Sequence, residues 1–105
     1  MASSKDYLEF ILEQLSGLPN ITYRAMMGEY IIYYRGKIVG GIYDNRLLVK
    51  PIESVLKIIP NATMAIPYIG GKPMIMIPDP ENPELLEHVF NLLYDFIPAT
   101  TRKTK

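Results

Sequence analysis

The sequence contains no cysteine and only one histidine, His88. The lack of cysteine excludes disulfide bonds, a thiolate nucleophile and any zinc site with sulfur ligands. A single histidine leaves little room for a catalytic triad or a histidine-rich metal site. The sequence also lacks the spacing of a phosphate-binding P-loop and a GxGxxG motif after a strand. We therefore expect no catalytic residue, no cofactor, no metal ion and no enzyme activity.

Long apolar runs and an excess of one charge are also missing. No apolar run approaches the ~20 residues of a membrane span, and the polar residues 1–5 differ from a secretion signal, so we expect a cytoplasmic protein. Eleven basic residues balance 11 acidic ones, but three of the basic residues lie in the last four positions. The remainder therefore has 11 − 3 = 8 basic groups against 11 acidic ones. Such a body lacks the basic surface typical of nucleic-acid binding.

Three segments have the pattern of helices. Ser3 or Ser4 can cap a first helix, whose buried stripe has i, i+3, i+4, i+7 spacing over 8–15. A short helix over 52–59 lies between two prolines. A long helix over 84–97 follows a turn that contains a capping residue and a helix-start proline.

β-Branched and aromatic residues dominate positions 21–50, with short turn signals between them. We expect four strands in an antiparallel meander there, an extended segment at 62–68 and a further strand at 73–77. Gly40 and Gly41, inside a predicted strand, suggest a bulge or a close approach of two backbones. The fold class is thus α+β: an N-terminal helix, a meander of about four strands, a short helix, a further strand and a C-terminal helix. This domain spans 1–97, and 98–105 should be a disordered polar and basic tail.

The apolar pattern also suggests self-association. The strands at 30–34, 47–49 and 74–77 are apolar at consecutive positions, which predicts a sheet covered on both faces. The apolar stripes of the first and last helices are wider than one core-facing seam needs, because they also include Tyr7, Phe10 and Leu92. A homodimer would bury this surplus.

The last helix has one polar line at helical spacing. Glu84, His88, Asn91 and Asp95 lie along it, opposite the apolar stripe. Without a third ligand from elsewhere the line does not make a metal site, so we expect it to face water.

Five residues are candidates for an interaction surface. Arg24 lies inside an apolar strand, where a cation needs an acidic partner such as Glu29 or Asp44, or else an anionic ligand. Tyrosines on or near the sheet, including Tyr34 and Tyr68, either form a stacking platform for bases or fill half-buried strand positions. Two further cations, Lys50 and Lys72, lie at loop edges beside proline or glycine and are candidates for contacts.

The run from Arg24 to Lys50 resembles the signature of the TfoX N-terminal domain of the TfoX/Sxy family of bacterial competence regulators. It has an arginine, the Met26-Met-Gly28 turn, an aromatic strand, a glycine hairpin and a strand that ends in lysine. Pro67-Tyr68 and Lys72-Pro-Met74 are similar to a second family segment, and with the flanking helices the likeness covers about 3–97. The resemblance implies the same order of helices and strands and no catalytic residue. Full-length members promote competence gene expression and have a C-terminal domain as well. The likeness here is to the N-terminal domain alone, so we expect a stand-alone N-terminal module.

Three functional hypotheses follow. The leading one is a non-enzymatic regulatory module that acts through protein contacts, as a homodimer. The second is nucleic-acid binding through the tyrosine-rich sheet and the basic tail. The third is a small-molecule sensor that uses Arg24 and neighbouring tyrosines.

Overall fold

The computed structural model describes residues 3–68 and 70–97. The tail predicted at 98–105 lies outside these ranges. The elements in chain order are α1 (Lys5–Gln14), β1 (Ile21–Met26), β2 (Glu29–Tyr34), β3 (Lys37–Ile42), β4 (Leu47–Val49), α2 (Glu53–Ile58), β5 (Thr63–Ala65), β6 (Met74–Met76) and α3 (Pro83–Phe96). This confirms the predicted α+β order and adds β5 as a strand.

The strands form one six-stranded sheet in the order β1-β2-β3-β4-β6-β5. Each neighbouring pair is antiparallel. The first four strands are the predicted meander, and β6 pairs with the free side of β4. Strands β1 and β5 are therefore the two edges of the sheet.

Three tight hairpins connect the meander, each with two central residues of positive φ. This is the type I′ geometry, whose twist matches that of the strands it joins. The pairs and their φ angles are Met27 (54°) with Gly28 (85°), Arg35 (54°) with Gly36 (84°), and Asp44 (55°) with Asn45 (56°). These pairs lie at the short turn signals that separate the predicted strands.

Side chains cap the two longer helices at the predicted places. The backbone N–H of Tyr7 donates to the Ser4 hydroxyl at 3.1 Å. At the start of α3, the N–H of Leu85 donates to Oδ1 of Asn82 at 3.2 Å, and Pro83 is the first helical residue. Each cap satisfies a backbone donor that has no partner within the helix.

All three helices contribute to one core on the same face of the sheet, which we call the helix face. Its buried residues include Leu8 and Ile11 of α1, Leu15 just after it, Val55 of α2, Leu86, Val89, Phe90 and Leu93 of α3, and Ile32, Tyr34, Val39, Ile42, Leu47, Val49 and Ile75 of the strands. Tyr7, Phe10 and Leu92 also pack against this core. The apolar surplus on the helix stripes, from which we predicted a dimer, is thus largely used inside the monomer.

The other side of the sheet is its open face. One row of paired residues crosses it from edge to edge: Arg24, Ile31, Gly41, Leu48, Met76 and Thr63. We predicted that the sheet is covered on both faces. This prediction holds at β4, where all three residues are buried, but it is wrong at β1, where residues 22–26 are exposed. An edge strand has a neighbour on one side only, and the helices here lie on one face.

The glycine pair produces the predicted bulge and close approach. The pairing of β2 with β3 shifts between Ile32 and Tyr33, so Val39 is an extra residue in β3. A Cβ atom on Gly40 would meet the carbonyl oxygen of Leu48 and lie 2.8 Å from Cα of Val49. Only glycine lets β3 and β4 come this close.

Candidate functional site: a cleft with two lysines

A cleft of about 470 Å³ lies between the end of β4 and the loop that joins β5 to β6. Three of the five predicted surface residues, Lys50, Tyr68 and Lys72, line it. We call it the lysine cleft. Its other described lining residues are Tyr43, Pro51, Pro67, Gly70, Gly71, Pro73 and Met74.

The central strands position Lys50. It follows β4 directly, and its backbone N–H donates to the carbonyl of Val39 at 3.1 Å. Its own carbonyl accepts from the N–H of Ile52 at 2.9 Å, where the chain turns into α2. The main chain of Lys50 is therefore fixed by β3 on one side and by the start of α2 on the other.

A tight turn brings the β5–β6 loop to the opposite wall. The N–H of Gly71 donates to the carbonyl of Tyr68 at 2.9 Å, and Gly70 has a φ of 87°. A Cβ atom on Gly71 would lie 3.1 Å from the Tyr68 ring and 3.2 Å from Cγ of Pro67. The two glycines thus let the loop fold tightly enough for Tyr68 and Lys72 to border the same cleft.

Tyr43 forms the floor. A Cβ atom on Gly41 would lie 2.7 Å from the Tyr43 ring, so this ring rests on the open face above Gly41. The rings of Tyr43 and Tyr68 have centroids 6.2 Å apart and planes 57° apart. Burial, followed by the charges of Tyr68 and Glu29, raises the pKa of Tyr43, so its hydroxyl remains a hydrogen-bond donor above neutral pH.

The charged side chains that line the cleft are positive. Among the described lining residues, two are lysines and none is acidic. The arrangement offers cations, a phenol and exposed aromatic surface, but no carboxylate or imidazole for acid–base chemistry. Within 3–68 and 70–97, no group of three or more histidine, aspartate and glutamate side chains is placed to hold a metal ion.

The chain matches the family model described as the TfoX N-terminal domain over residues 13–84. It belongs to this family. A curated relative, described as an uncharacterized 12.7 kDa protein in the trpE 5′ region of Spirochaeta aurantia, is 33% identical over 72 residues. That match covers 69% of this chain and 63% of the relative, so the chain spans less than two thirds of the relative's length.

In this TfoX N-terminal domain the matched segment includes all the described residues that line the lysine cleft. No helix within the described parts of the chain is both long and apolar enough to span a membrane.

The environment of Arg24 differs from the one we predicted. It is exposed on edge strand β1, so the burial that we expected to require an acidic partner is wrong. The carboxylate of Glu29 accepts other donors: the hydroxyl of Ser3 at 2.6 Å, the N–H of Ser3 at 2.9 Å and the N–H of Asp44 at 3.2 Å. Arg24 shares the open face with Gly41 but lies two strands away, roughly 10 Å at the usual strand spacing.

Tyr34 is not a surface residue. It is 2% exposed, and its hydroxyl donates to Oδ1 of Asn91 at 2.8 Å. Its ring packs near those of Phe90 and Tyr94, with centroids 6.2 and 5.6 Å away. A role for Tyr34 in a stacking platform is therefore wrong, because the residue points to the helix face.

The polar line on α3 is exposed at all four positions, as predicted: Glu84, His88, Asn91 and Asp95. The structure gives Asn91 an additional role as the partner of the Tyr34 hydroxyl.

Tyr43 is the residue of the cleft floor that the sequence did not lead us to select for the site. A usable signal was present, because Gly41 lies two residues earlier on the same face of the strand and leaves room for a ring.

Proposed function

We propose that this chain is a non-enzymatic regulatory module that works in the cytoplasm through protein contacts, including contact with a second copy of itself. Family membership supports a regulatory or competence-related module. The arrangement of exposed apolar side chains supports action through protein contacts.

The main support for this proposal is the position of the exposed apolar side chains. Of the eight exposed large hydrophobic residues in the described chain, six lie at the two edges of the sheet or just beyond them. They are Tyr23, Met26 and Met27 at β1 and its turn, and Met64, Ile66 and Tyr68 at β5 and the following loop. Met27 is 95% exposed at the tip of its hairpin. Exposed apolar groups beside an unpaired strand edge are typical of protein-binding surfaces.

Strand β1 is the stronger candidate for self-association. It has six residues, no proline and one charged side chain, Arg24, so it has few of the features that protect edge strands from pairing. Beside it lies a groove of about 550 Å³, whose apolar wall includes Leu12, Leu18 and Ile21. β5 has only three residues. Antiparallel pairing of two copies through β1 would join their sheets and let apolar side chains enter the grooves.

Light scattering coupled to size-exclusion chromatography tests this proposal. We expect a dimer at high micromolar concentration, and we expect Tyr23→Lys to dissociate it by placing a cation where an apolar side chain lines the groove beside β1. Met64→Lys on β5 is the matched control, because Met64 is 43% exposed and Tyr23 is 46% exposed. A strict monomer, or dissociation by Met64→Lys instead, would contradict pairing through β1.

Nucleic-acid binding is the alternative to a function through protein contacts. With Tyr34 in the core, the exposed tyrosines Tyr23 and Tyr68 lie toward opposite edges of the sheet and do not form a continuous platform. Salt-dependent binding of DNA or RNA that is lost when the tail is deleted would favour this function over protein contacts.

A further inference from the structure

We propose that the lysine cleft binds a small organic anion, in which a carboxylate or phosphate group is attached to a flat apolar body. This site is separate from the β1 edge, so the inference does not depend on the proposed dimer.

The charged end of the ligand fits the two lysines. Lys50 is half-buried at the end of β4, and Lys72 is exposed on the loop, so the cleft has one cation on each wall. A partly buried lysine loses some of its solvation and recovers it by binding an anion. Among the described lining residues there is no carboxylate to compete for either ammonium group.

The apolar end of the ligand fits the remaining surface. Tyr68 is 60% exposed, and three prolines and Met74 line the cleft beside it. A flat ring can stack against Tyr68 and cover this apolar surface, which a bare inorganic ion would leave in water. The cleft volume of about 470 Å³ is in the range of sites for small molecules.

Two features allow close approach at the polar end. The space beside Gly70 is open, because a Cβ atom there would have no neighbour within 4 Å. A ligand can therefore reach the loop backbone at this position. On the floor, the hydroxyl of Tyr43 is protonated and is able to donate a hydrogen bond to an anion.

The test is an NMR titration of the full chain with four probes: phenyl phosphate, benzoate, inorganic phosphate and benzyl alcohol. We expect both aromatic anions to shift the amide signals of Gly70, Gly71 and Lys72. We expect inorganic phosphate and the neutral alcohol to bind about tenfold more weakly or not at all. The two aromatic anions distinguish a phosphate ligand from a carboxylate ligand.

Variants locate the site. Changing Lys50→Gln and Lys72→Gln together should weaken the binding of phenyl phosphate about tenfold, since two partly exposed ion pairs are lost. Lys57→Gln, an exposed lysine on α2, is the matched control and should leave binding unchanged. The Tyr23→Lys variant should also bind normally, so a failed dimer and a failed ligand site give different results. Equal effects of the cleft variants and the control, or equal binding of inorganic phosphate, would overturn the inference.

Discussion

Gly40→Ala should destabilise the domain more than any other single methyl group added to the sheet. The new Cβ atom would lie 2.8 Å from Cα of Val49 and would also meet the carbonyl oxygen of Leu48. Ordinary van der Waals contact begins at about 3.4 Å, so β4 must move by at least 3.4 − 2.8 = 0.6 Å. Both neighbours are backbone atoms, which have no rotamer that would relieve the contact.

The loss of folding stability follows from this displacement of β4. Overpacking in a rigid core costs about 1–3 kcal/mol, and the β3–β4 ladder, which has three residue pairs, would lose part of its hydrogen bonding. We expect a loss of about 3 kcal/mol, a substantial part of the roughly 5–15 kcal/mol available to a domain of this size. The midpoint of thermal unfolding should fall by roughly 12–24 °C.

Urea unfolding followed by circular dichroism measures this effect. Gly36→Ala is the control, because its Cβ atom would meet nothing within 4 Å and its cost of about 1–2 kcal/mol comes only from the positive φ of 84°. A Gly40→Ala variant no less stable than Gly36→Ala would refute the close approach of β3 and β4.

Two further predictions concern tyrosines. Tyr34→Phe should lower the free energy of unfolding by about 1 kcal/mol through loss of the bond to Asn91, and its combination with Asn91→Ala should cost less than the sum of the single changes. A fully additive double-mutant cycle would contradict that bond. Burial raises the pKa of Tyr7 and of Tyr43 in the folded state, so these two phenols contribute a stabilisation that is constant below about pH 10 and is lost as the pH rises through the folded values. Urea midpoints between about pH 8 and 11 should therefore decline less in Tyr43→Phe than in wild type, and an equal decline would count against the buried phenol.

The helices and the meander could be predicted because each has a local signal. Apolar spacing marks α1 and α3, Ser4 caps α1, and the hairpin pairs have residues such as Gly28 and Gly36 that adopt positive φ at low cost. Strand β5 has three residues and little local signal. Its position depends on pairing with β6 across the loop that contains Gly70.

Two candidate residues were misplaced because sequence does not reveal which strands are edges or which face each residue occupies. In the sequence, Arg24 lies within an apolar segment, which suggested a buried cation. Only the strand order shows that β1 is an edge. Tyr34 and Ile32 lie two residues apart on β2 and both point to the helix face. Because apolar and aromatic residues follow one another without a break along β2, the periodicity of the sequence did not show which residues point to which face. The lysine cleft joins residues on either side of β4 with residues of a distant loop, which no local spacing could bring together.

The central claim, that β1 is the contact strand, is tested most directly by hydrogen–deuterium exchange at low and high protein concentration. We predict that the backbone amides of Ile21–Met26 that point away from β2 become protected as concentration rises, that Tyr23→Lys abolishes this protection, and that exchange in Thr63–Ala65 does not change. Exchange of the β1 amides at the same rate at both concentrations, or protection that appears at β5 instead, would contradict the claim.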